Sequence, residues 1–404
     1  MALLPVDEAL SRLLEDCREP GADSVETVSL SDALGRVLAV EQRSPSDVPP
    51  ADNSAMDGYA LRVADCEHKS RLTVSQRIPA GVAPSSLTVG TAARIFTGAP
   101  IPDGADAVVL QEDCDVGDGQ VTIRELPVCG QHIRRRGQDV QTGQSILAAG
   151  DWLQGAHLGL LAAVGIPSVP VFKRIRVALM STGDELREPG ESLAPGQIYN
   201  SNRAMLNALL REAGCDVVDL GIVADNGDAT LDALRVAAKA DLIISTGGVS
   251  VGEEDHVRAQ VERLGQLKLW KVAMKPGKPL AYGVVGNTPF IGLPGNPASS
   301  FVSFFLFARP YLYRLQGRNL CLPVRYSLPC DFTARAGGRQ EYLRARVEMS
   351  DGELVVRAYP NQSSGVMAAV SWANALVEVA PGVELLPGDV APVLLVRECL
   401  LPFA

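Results

Sequence analysis

The chain reads as a multidomain α/β plus β protein. Three observations predict this: strand and helix patterns alternate from Arg174 to Leu322, Gly/Pro/Asp-punctuated β-like runs flank that block, and 404 residues exceed one ordinary core. At ~100–200 residues per domain, two to four domains are expected. Residues 1–44 open on the helical stripe Leu3, Val6, Leu10, Leu13 and Leu14, and a second helical pattern runs from Leu30 to Val40. From 45 to 139 the chain breaks into short β-like runs such as Val108-Val109-Leu110 and Val121-Thr122-Ile123, which predicts a small β-rich domain. Helical character returns at Leu153 to Val164 and stops at Gly165, so 45–139 is an insertion into an elongated helical region made of 1–44 and 140–173.

In 174–322 the apolar strand Ile175–Met180 precedes a helical stripe of Met205, Leu206, Leu209 and Leu210 that ends at Gly214. A strand at Val217 to Val223, a helix with Leu231, Leu234, Val236 and Ala237, and a strand at Asp241 to Ser245 follow. Short branched strands between amphipathic helices predict a mostly parallel sheet covered on both faces. Residues 323–404 carry short β-like segments broken at Asp351-Gly352, Pro381-Gly382 and Pro387-Gly388, which predicts a small C-terminal β-barrel.

The hydrophobic content of 47% supplies packed cores. The longest apolar run, Phe301 to Ala308, falls far short of the ~18 residues of a membrane span. The first residues lack a basic segment, so a soluble, unexported, cytoplasmic protein is expected. A net charge of −10 argues against nucleic acid and acidic lipid as partners. Eight cysteines (17, 66, 114, 129, 215, 321, 330, 399) show no Cys-x-x-Cys pair and only four histidines accompany them, so zinc spacing is absent and reduced thiols are expected.

The strongest local signal is Ser245-Thr246-Gly247-Gly248-Val249-Ser250-Val251-Gly252-Glu253-Glu254-Asp255-His256. A double-glycine turn there joins a buried strand to a helix with Val257, Val261 and Leu264, at the sheet edge where open α/β folds bind ligands. Gly247 to Gly252 mimics half a P-loop, but Glu253 replaces the phosphate-binding lysine. A carboxylate there tolerates phosphate only through a divalent cation, so a Mg²⁺-bridged phosphoryl or adenylyl site competes with an ordinary acid-capped turn. Ser181-Thr182-Gly183-Asp184-Glu185 puts two more acids past the first strand. Lys271, Lys275 and Lys278, in an apolar Pro/Gly-punctuated segment, can converge on an oxyanion. Asn296 and Pro297 suit a helix N-cap and first turn, an arrangement that binds anions and equally serves plain capping. Pro49 to Ala60 packs Asp52, Asn53, Ser54 and Asp57 into a loop with no periodicity. Arg134-Arg135-Arg136 reads as a solvated face or an anion contact.

Taken together, Asp52–Ala60, Phe96–Pro100, Arg134–Asp139, Ser181–Glu185, Thr246–Gly252, Lys275–Pro279 and Pro294–Pro297 resemble, in order and over essentially the whole chain, the MoeA family of molybdenum insertases, whose fold also forms the E domain of gephyrin. The resemblance implies a MogA/MoaB-like α/β domain at 174–322 and the transfer of molybdate into adenylylated molybdopterin, with Mg²⁺ and release of AMP. Its catalytic positions fall on Asp57, Asp139, Glu185, Lys271 and Lys275. Its substrate positions fall on Thr97, Arg134, Ser181, Thr182, Gly247, Gly248, Ser250, Lys278, Pro294, Asn296 and Pro297, and its metal positions on Glu185, Asp225 and Asp255. It also implies a homodimer with a site completed between subunits, and contact with a MogA-type adenylyltransferase and molybdoenzyme chaperones. Two rivals are an adenylyltransferase of the MogA type, usually a small single domain, and a gephyrin-like scaffold, which needs a fused domain and linker.

Overall fold

The computed structural model describes residues 3–66, 71–248 and 256–396. The chain folds as two compact units: Met1–Glu26, Gly35–Val37 and Phe172–Ala404 form the larger, and Thr27–Leu34 with Leu38–Val171 the smaller. No described helix is long and apolar enough to cross a membrane.

In the larger unit the six-stranded sheet runs Asp216–Val223, Arg176–Thr182, Leu242–Thr246, Thr288–Leu293, Pro279–Val285, Gly265–Lys271. The first four strands pair in parallel, as the alternating pattern predicts. The last two pairings are antiparallel, because Gly286 permits a tight hairpin between Pro279–Val285 and Thr288–Leu293 where a parallel partner would need a crossover. Strand Gly265–Lys271 begins where the sequence reading ends a helix, at Leu264. Helices Ser201–Glu212, Gly227–Ala237 and His256–Leu264 cover the sheet. Val177, Leu179, Leu206, Leu210, Leu242 and Ile244 fill one face, and Ala178, Met180, Leu234, Val257 and Phe290 the other.

Helix Val6–Glu15 joins the first of these cores through Val6, Ala9 and Leu13, which pack with Phe305, Leu306 and Tyr311. The expected helix from Phe301 to Leu315 is present, with a π-turn at Phe304–Ala308 between α-helical pieces. The C-terminal residues form strands Arg325–Pro329, Gln340–Ser350, Glu353–Ala358, Ala375–Val379 and Val390–Leu395. An isolated bridge between Cys330 and Val356 connects the two ends of that sheet, which closes it in the manner of a small barrel.

The smaller unit holds a six-stranded sheet in the order Ala107–Leu110, Gly58–Leu61, Thr91–Ile95, Arg71–Ile78, Gln120–Ile123, Cys114–Gly117. Its strands lie within the stretch 45–139 that reads as β-rich in the sequence. Helix Gly155–Ala163 matches the helical pattern expected from Leu153 to Val164. Leu30 to Val40 does not form the expected helix: only a 3₁₀ turn at Leu30–Asp32 survives. The amides of Leu38 and Ala39 donate to the carbonyls of Asp151 (2.9 Å) and Pro170 (3.0 Å), so tertiary hydrogen bonds replace the i→i−4 ladder.

Of the eight thiols, seven are described and none is paired with another. Burial pushes Cys17 and Cys215 up to about 12, which keeps them protonated and inert. Cys399 lies outside the described residues.

Candidate functional site

The parallel register brings four strand ends to one edge. Thr182 pairs with Val223, Ser181 with Thr246, and Thr246 with Leu293, so the loops that follow these strands cluster. Beneath them lies a cavity of about 980 Å³. Ten positions singled out in the sequence line it: Thr182, Glu185, Asp225, Gly247, Gly248, Lys275, Lys278, Pro294, Asn296 and Pro297. Ser181 is fully buried on its strand and Lys271 ends the edge strand; neither is among the lining residues. The expected convergence of three lysines is therefore one of two, Lys275 and Lys278. Ser250 and Asp255 lie outside the described residues, as do Glu253 and Glu254. His256 opens the helix that follows them.

The double-glycine turn is dictated locally. Gly247 has φ +86°, and a Cβ there would sit 2.5 Å from the Thr182 carbonyl oxygen, so only glycine lets the two strand ends approach this closely. Beyond Thr182 the chain turns through Gly183 and presents Asp184 and Glu185. The Asp225 amide donates to Asp184 Oδ1 at 3.3 Å, which holds the two acidic loops together. Glu185 and Asp225 give the cavity lining two carboxylates, the hard oxygen donors that Mg²⁺ takes. Among the described residues the buried Thr182 hydroxyl finds no hydrogen-bond partner. Among the described residues no group of three His, Cys, Asp or Glu could by itself hold a metal.

By the strands at the other edge of the sheet the lining is cationic. Strand Met274–Lys275 adds in parallel to Gln340–Ser350, pairing Lys275 with Glu341. Lys275 Nζ lies 3.1 Å from both Glu341 carboxylate oxygens. Gly277 has φ +100°, and a Cβ there would meet Ser303 Oγ at 2.6 Å; the turn between Lys275 and Lys278 thus lies directly on helix Pro297–Ser303. Asn296 occupies the N-cap position and Pro297 the first helical position, as the sequence indicates, but the Asn296 side chain makes no capping bond.

Among the lining residues outside the sequence motifs are Asn202, Arg339, Ser363 and Ser364. The last three arrive on the C-terminal sheet's loops, and the only sequence signal for them is small polar clustering at Gly337-Gly338-Arg339 and Asn361-Gln362-Ser363-Ser364-Gly365. Arg339 Nη1 donates to the Met274 carbonyl at 3.1 Å. Behind the serine loop, Arg344 is 1% exposed and donates to the carbonyls of Tyr342 (3.1 Å) and Ser363 (3.3 Å). Burial pushes this guanidinium down to about 10, so it stays charged at neutral pH. The Gln362 side chain bonds both the amide and the carbonyl of Arg344 at 2.9 Å, and Ala298 N donates to Ser364 O at 3.0 Å. These bonds fix the serine loop against the start of helix Pro297–Ser303.

The smaller unit assembles a second group of predicted residues. Asp57 Oδ1 accepts from the Thr97 amide at 2.7 Å and the Thr97 hydroxyl at 2.8 Å. Those two bonds, with the Arg94 guanidinium nearby, hold the Asp57 carboxyl below the usual aspartate range. Strand Ile133–Arg134 pairs with Asn53–Ser54, which sets Arg134 opposite Asn53 in the same loop. Arg135 binds Asp52 at 2.6 Å, and Arg136 pairs with Asp47. The Thr142 amide, then Arg136, hold Asp47 down to about 2. The exposed Asp139 follows, its amide on Val48 O at 3.0 Å. Arg135 thus clamps Asp52 by its side chain, and Arg136 binds Asp52 through its amide and Asp47 through its guanidinium.

Three family models match in order: the MoeA N-terminal region (domain I and II) over residues 4–165, the probable molybdopterin binding domain over 178–314, and the MoeA C-terminal region (domain IV) over 327–396. The chain is 39% identical to a molybdopterin molybdenumtransferase of Haemophilus influenzae over 93% of its own length and 94% of the relative. It is 41% identical to molybdopterin molybdenumtransferase 2 of Mycobacterium tuberculosis, over 89% and 93%. Among solved structures it resembles the molybdopterin biosynthesis MoeA protein of Pyrococcus horikoshii, with a TM-score of 0.83 and 29% identity across 98% of this chain and 100% of that one. Ordered matches of this extent make the chain a member of the MoeA, or molybdopterin molybdenumtransferase, family.

Proposed function

We propose that the protein is a molybdopterin molybdenumtransferase that takes adenylylated molybdopterin and molybdate, and yields molybdenum cofactor and AMP. The observation that carries this reading is the mixed charge of the cavity lining: carboxylates of Glu185 and Asp225, which follow strands at one edge of the sheet, and Lys275, Lys278 and Arg339, which lie by the strands at the other edge. A cavity of one sign would suit a simple anion or a simple cation; this one suits a long substrate with a metal-shielded phosphoanhydride and an oxyanion reactant. Its volume of about 980 Å³ is ample for a dinucleotide-sized molecule.

When bound, Mg²⁺ would sit with Glu185 and Asp225 and neutralise the adenylate's phosphates. Lys275, Lys278 and Arg339 hold the doubly charged oxyanion by charge-assisted hydrogen bonds. Gly247 and Gly248 let the substrate approach the backbone closely, and the Pro294–Pro297 turn closes the wall. Cleavage breaks the bridging P–O bond, the electron pair leaves with AMP, and an oxygen nucleophile oriented in the cavity takes its place on phosphorus. Asp57 and Asp139 belong to the same proposal as residues of a homodimer in which each site is completed by the partner. The test is AMP release from adenylylated molybdopterin with molybdate and Mg²⁺, read alongside reconstitution of an apo-molybdoenzyme. AMP transfer from ATP to molybdopterin instead would assign the protein to adenylylation.

A further inference from the structure

We propose that Leu186 and Ile198 form a shelf in the cavity wall that carries a flat heteroaromatic ring of the organic substrate, the pterin or the adenine, and that Ile198 is a specificity residue for that ring. The proposal rests on the function given above and deepens it.

The substrate joins a charged centre to two planar rings, and the carboxylates and cations of the lining serve the centre. A ring needs apolar surface that solvent reaches before it binds. Among the described residues that line the cavity, the large aliphatic and aromatic side chains that stand exposed are Ile198 (55%) and Tyr199 (45%). They are neighbours on strand Ile198–Tyr199, which pairs in parallel with Leu186–Arg187. The register sets Ile198 opposite Leu186 and Tyr199 opposite Arg187, and opposed residues share a face of the ribbon. Leu186 and Ile198 both line the cavity and Arg187 does not, so the aliphatic face is the one turned towards it. Tyr199 borders the cavity with its hydroxyl already given to the Glu191 carbonyl at 2.9 Å.

The ribbon is fastened along its length. The amides of Leu186, Ile198 and Asn200 donate to the carbonyls of Gly183 (3.1 Å), Glu185 (2.8 Å) and Arg187 (2.9 Å). Arg187 Nη1 donates to the carbonyls of Leu186 (2.7 Å) and Asp184 (3.2 Å). These bonds hold the isoleucine outward, where a ligand that covers it removes apolar surface from water. Position names the ligand: Glu185, one of the two carboxylates assigned above to the metal, immediately precedes Leu186, so a ring on the shelf lies beside the shielded phosphates. A bare oxyanion gains nothing there, because contact with an aliphatic side chain strips water from its charge and returns no hydrogen bond. The shelf therefore separates the ring-bearing substrate from its inorganic co-substrate and from free phosphate.

The test titrates AMP, 6-hydroxymethylpterin, inorganic phosphate and molybdate into the unaltered protein, Ile198→Ser and Ile198→Leu. Ile198→Ser is expected to weaken AMP or the pterin about tenfold and to leave phosphate and molybdate within about twofold, and the probe that weakens names the ring. Ile198→Leu, which keeps the apolar surface, is expected to restore that probe's affinity. Equal losses for all four probes would mean a structural role and overturn the proposal, as would a leucine variant as weak as the serine one. A lower mass by light scattering for Ile198→Ser would assign the exposed side chain to a subunit contact and overturn it too. If the serine variant does not fold, a crystal structure of the unaltered protein with AMP and the pterin decides: a ring within about 4.5 Å of the Ile198 side chain is expected, and rings bound elsewhere overturn the proposal. Failure of both ring-bearing probes to bind the unaltered protein would sink the proposed function and this inference with it; binding that ignores Ile198 would sink only this inference.

Discussion

Lys275 is half exposed and already paired with Glu341, so an incoming oxyanion must compete with a carboxylate for it. An exposed ion pair is worth only ~0–1 kcal/mol, about fivefold in affinity at most. Glu341→Gln should therefore tighten molybdate binding by up to about fivefold, whereas Lys275→Ala should weaken it by tenfold or more, about 1.4 kcal/mol. Titration of both variants checks this, and equal effects of the same sign would contradict it. Asp57 offers a pH test. Its carboxyl is lowered by the Thr97 amide, the Thr97 hydroxyl and Arg94, so the bonds favour the anion. Whatever they add to stability is complete above the ordinary aspartate value and is lost as pH falls through the lowered one. Thr97→Val keeps the amide bond and removes the hydroxyl, so the Asp57 carboxyl resonance should titrate at higher pH than in the unaltered protein. The motifs show both residues; that they bond each other depends on strand pairing, which neither motif contains.

At the scale of elements, the turns carry the site. Gly247→Ala places a methyl against the Thr182 carbonyl in a backbone conformation that costs an L-residue about 1–3 kcal/mol. An unfolding free energy lower by that amount, together with loss of AMP binding, is the expected outcome. The buried strands and amphipathic helices of 174–322 were legible because short continuous branched runs mark strands covered on both faces and a period of 3.6 marks the covered face of a helix. Leu30 to Val40 was not, because its amides find partners at Asp151 and Pro170, far away in sequence. The hairpin that reverses the last two strands of the main sheet was equally hidden, since periodicity does not report strand direction. Arg339 and the Ser363–Ser364 loop were missed for a related reason: their place at the cavity comes from the pairing of Met274–Lys275 with Gln340–Glu341.

The whole molecule is proposed to act as a dimer, with Asp57 supplied to the cavity of the partner. Light scattering should report twice the 42.8 kDa chain mass. Asp57→Ala and Lys275→Ala should each abolish turnover while remaining folded. Mixing the two variants and allowing subunits to exchange should recover part of the activity, because each mixed dimer holds one site with both residues intact; no recovery from exchanged dimers would place both residues in the same subunit's site. The proposed reaction can be measured directly. Purified protein incubated with adenylylated molybdopterin, molybdate and Mg²⁺ should release AMP and yield cofactor that activates an apo-molybdoenzyme. Folded protein that releases no AMP above the blank would contradict it.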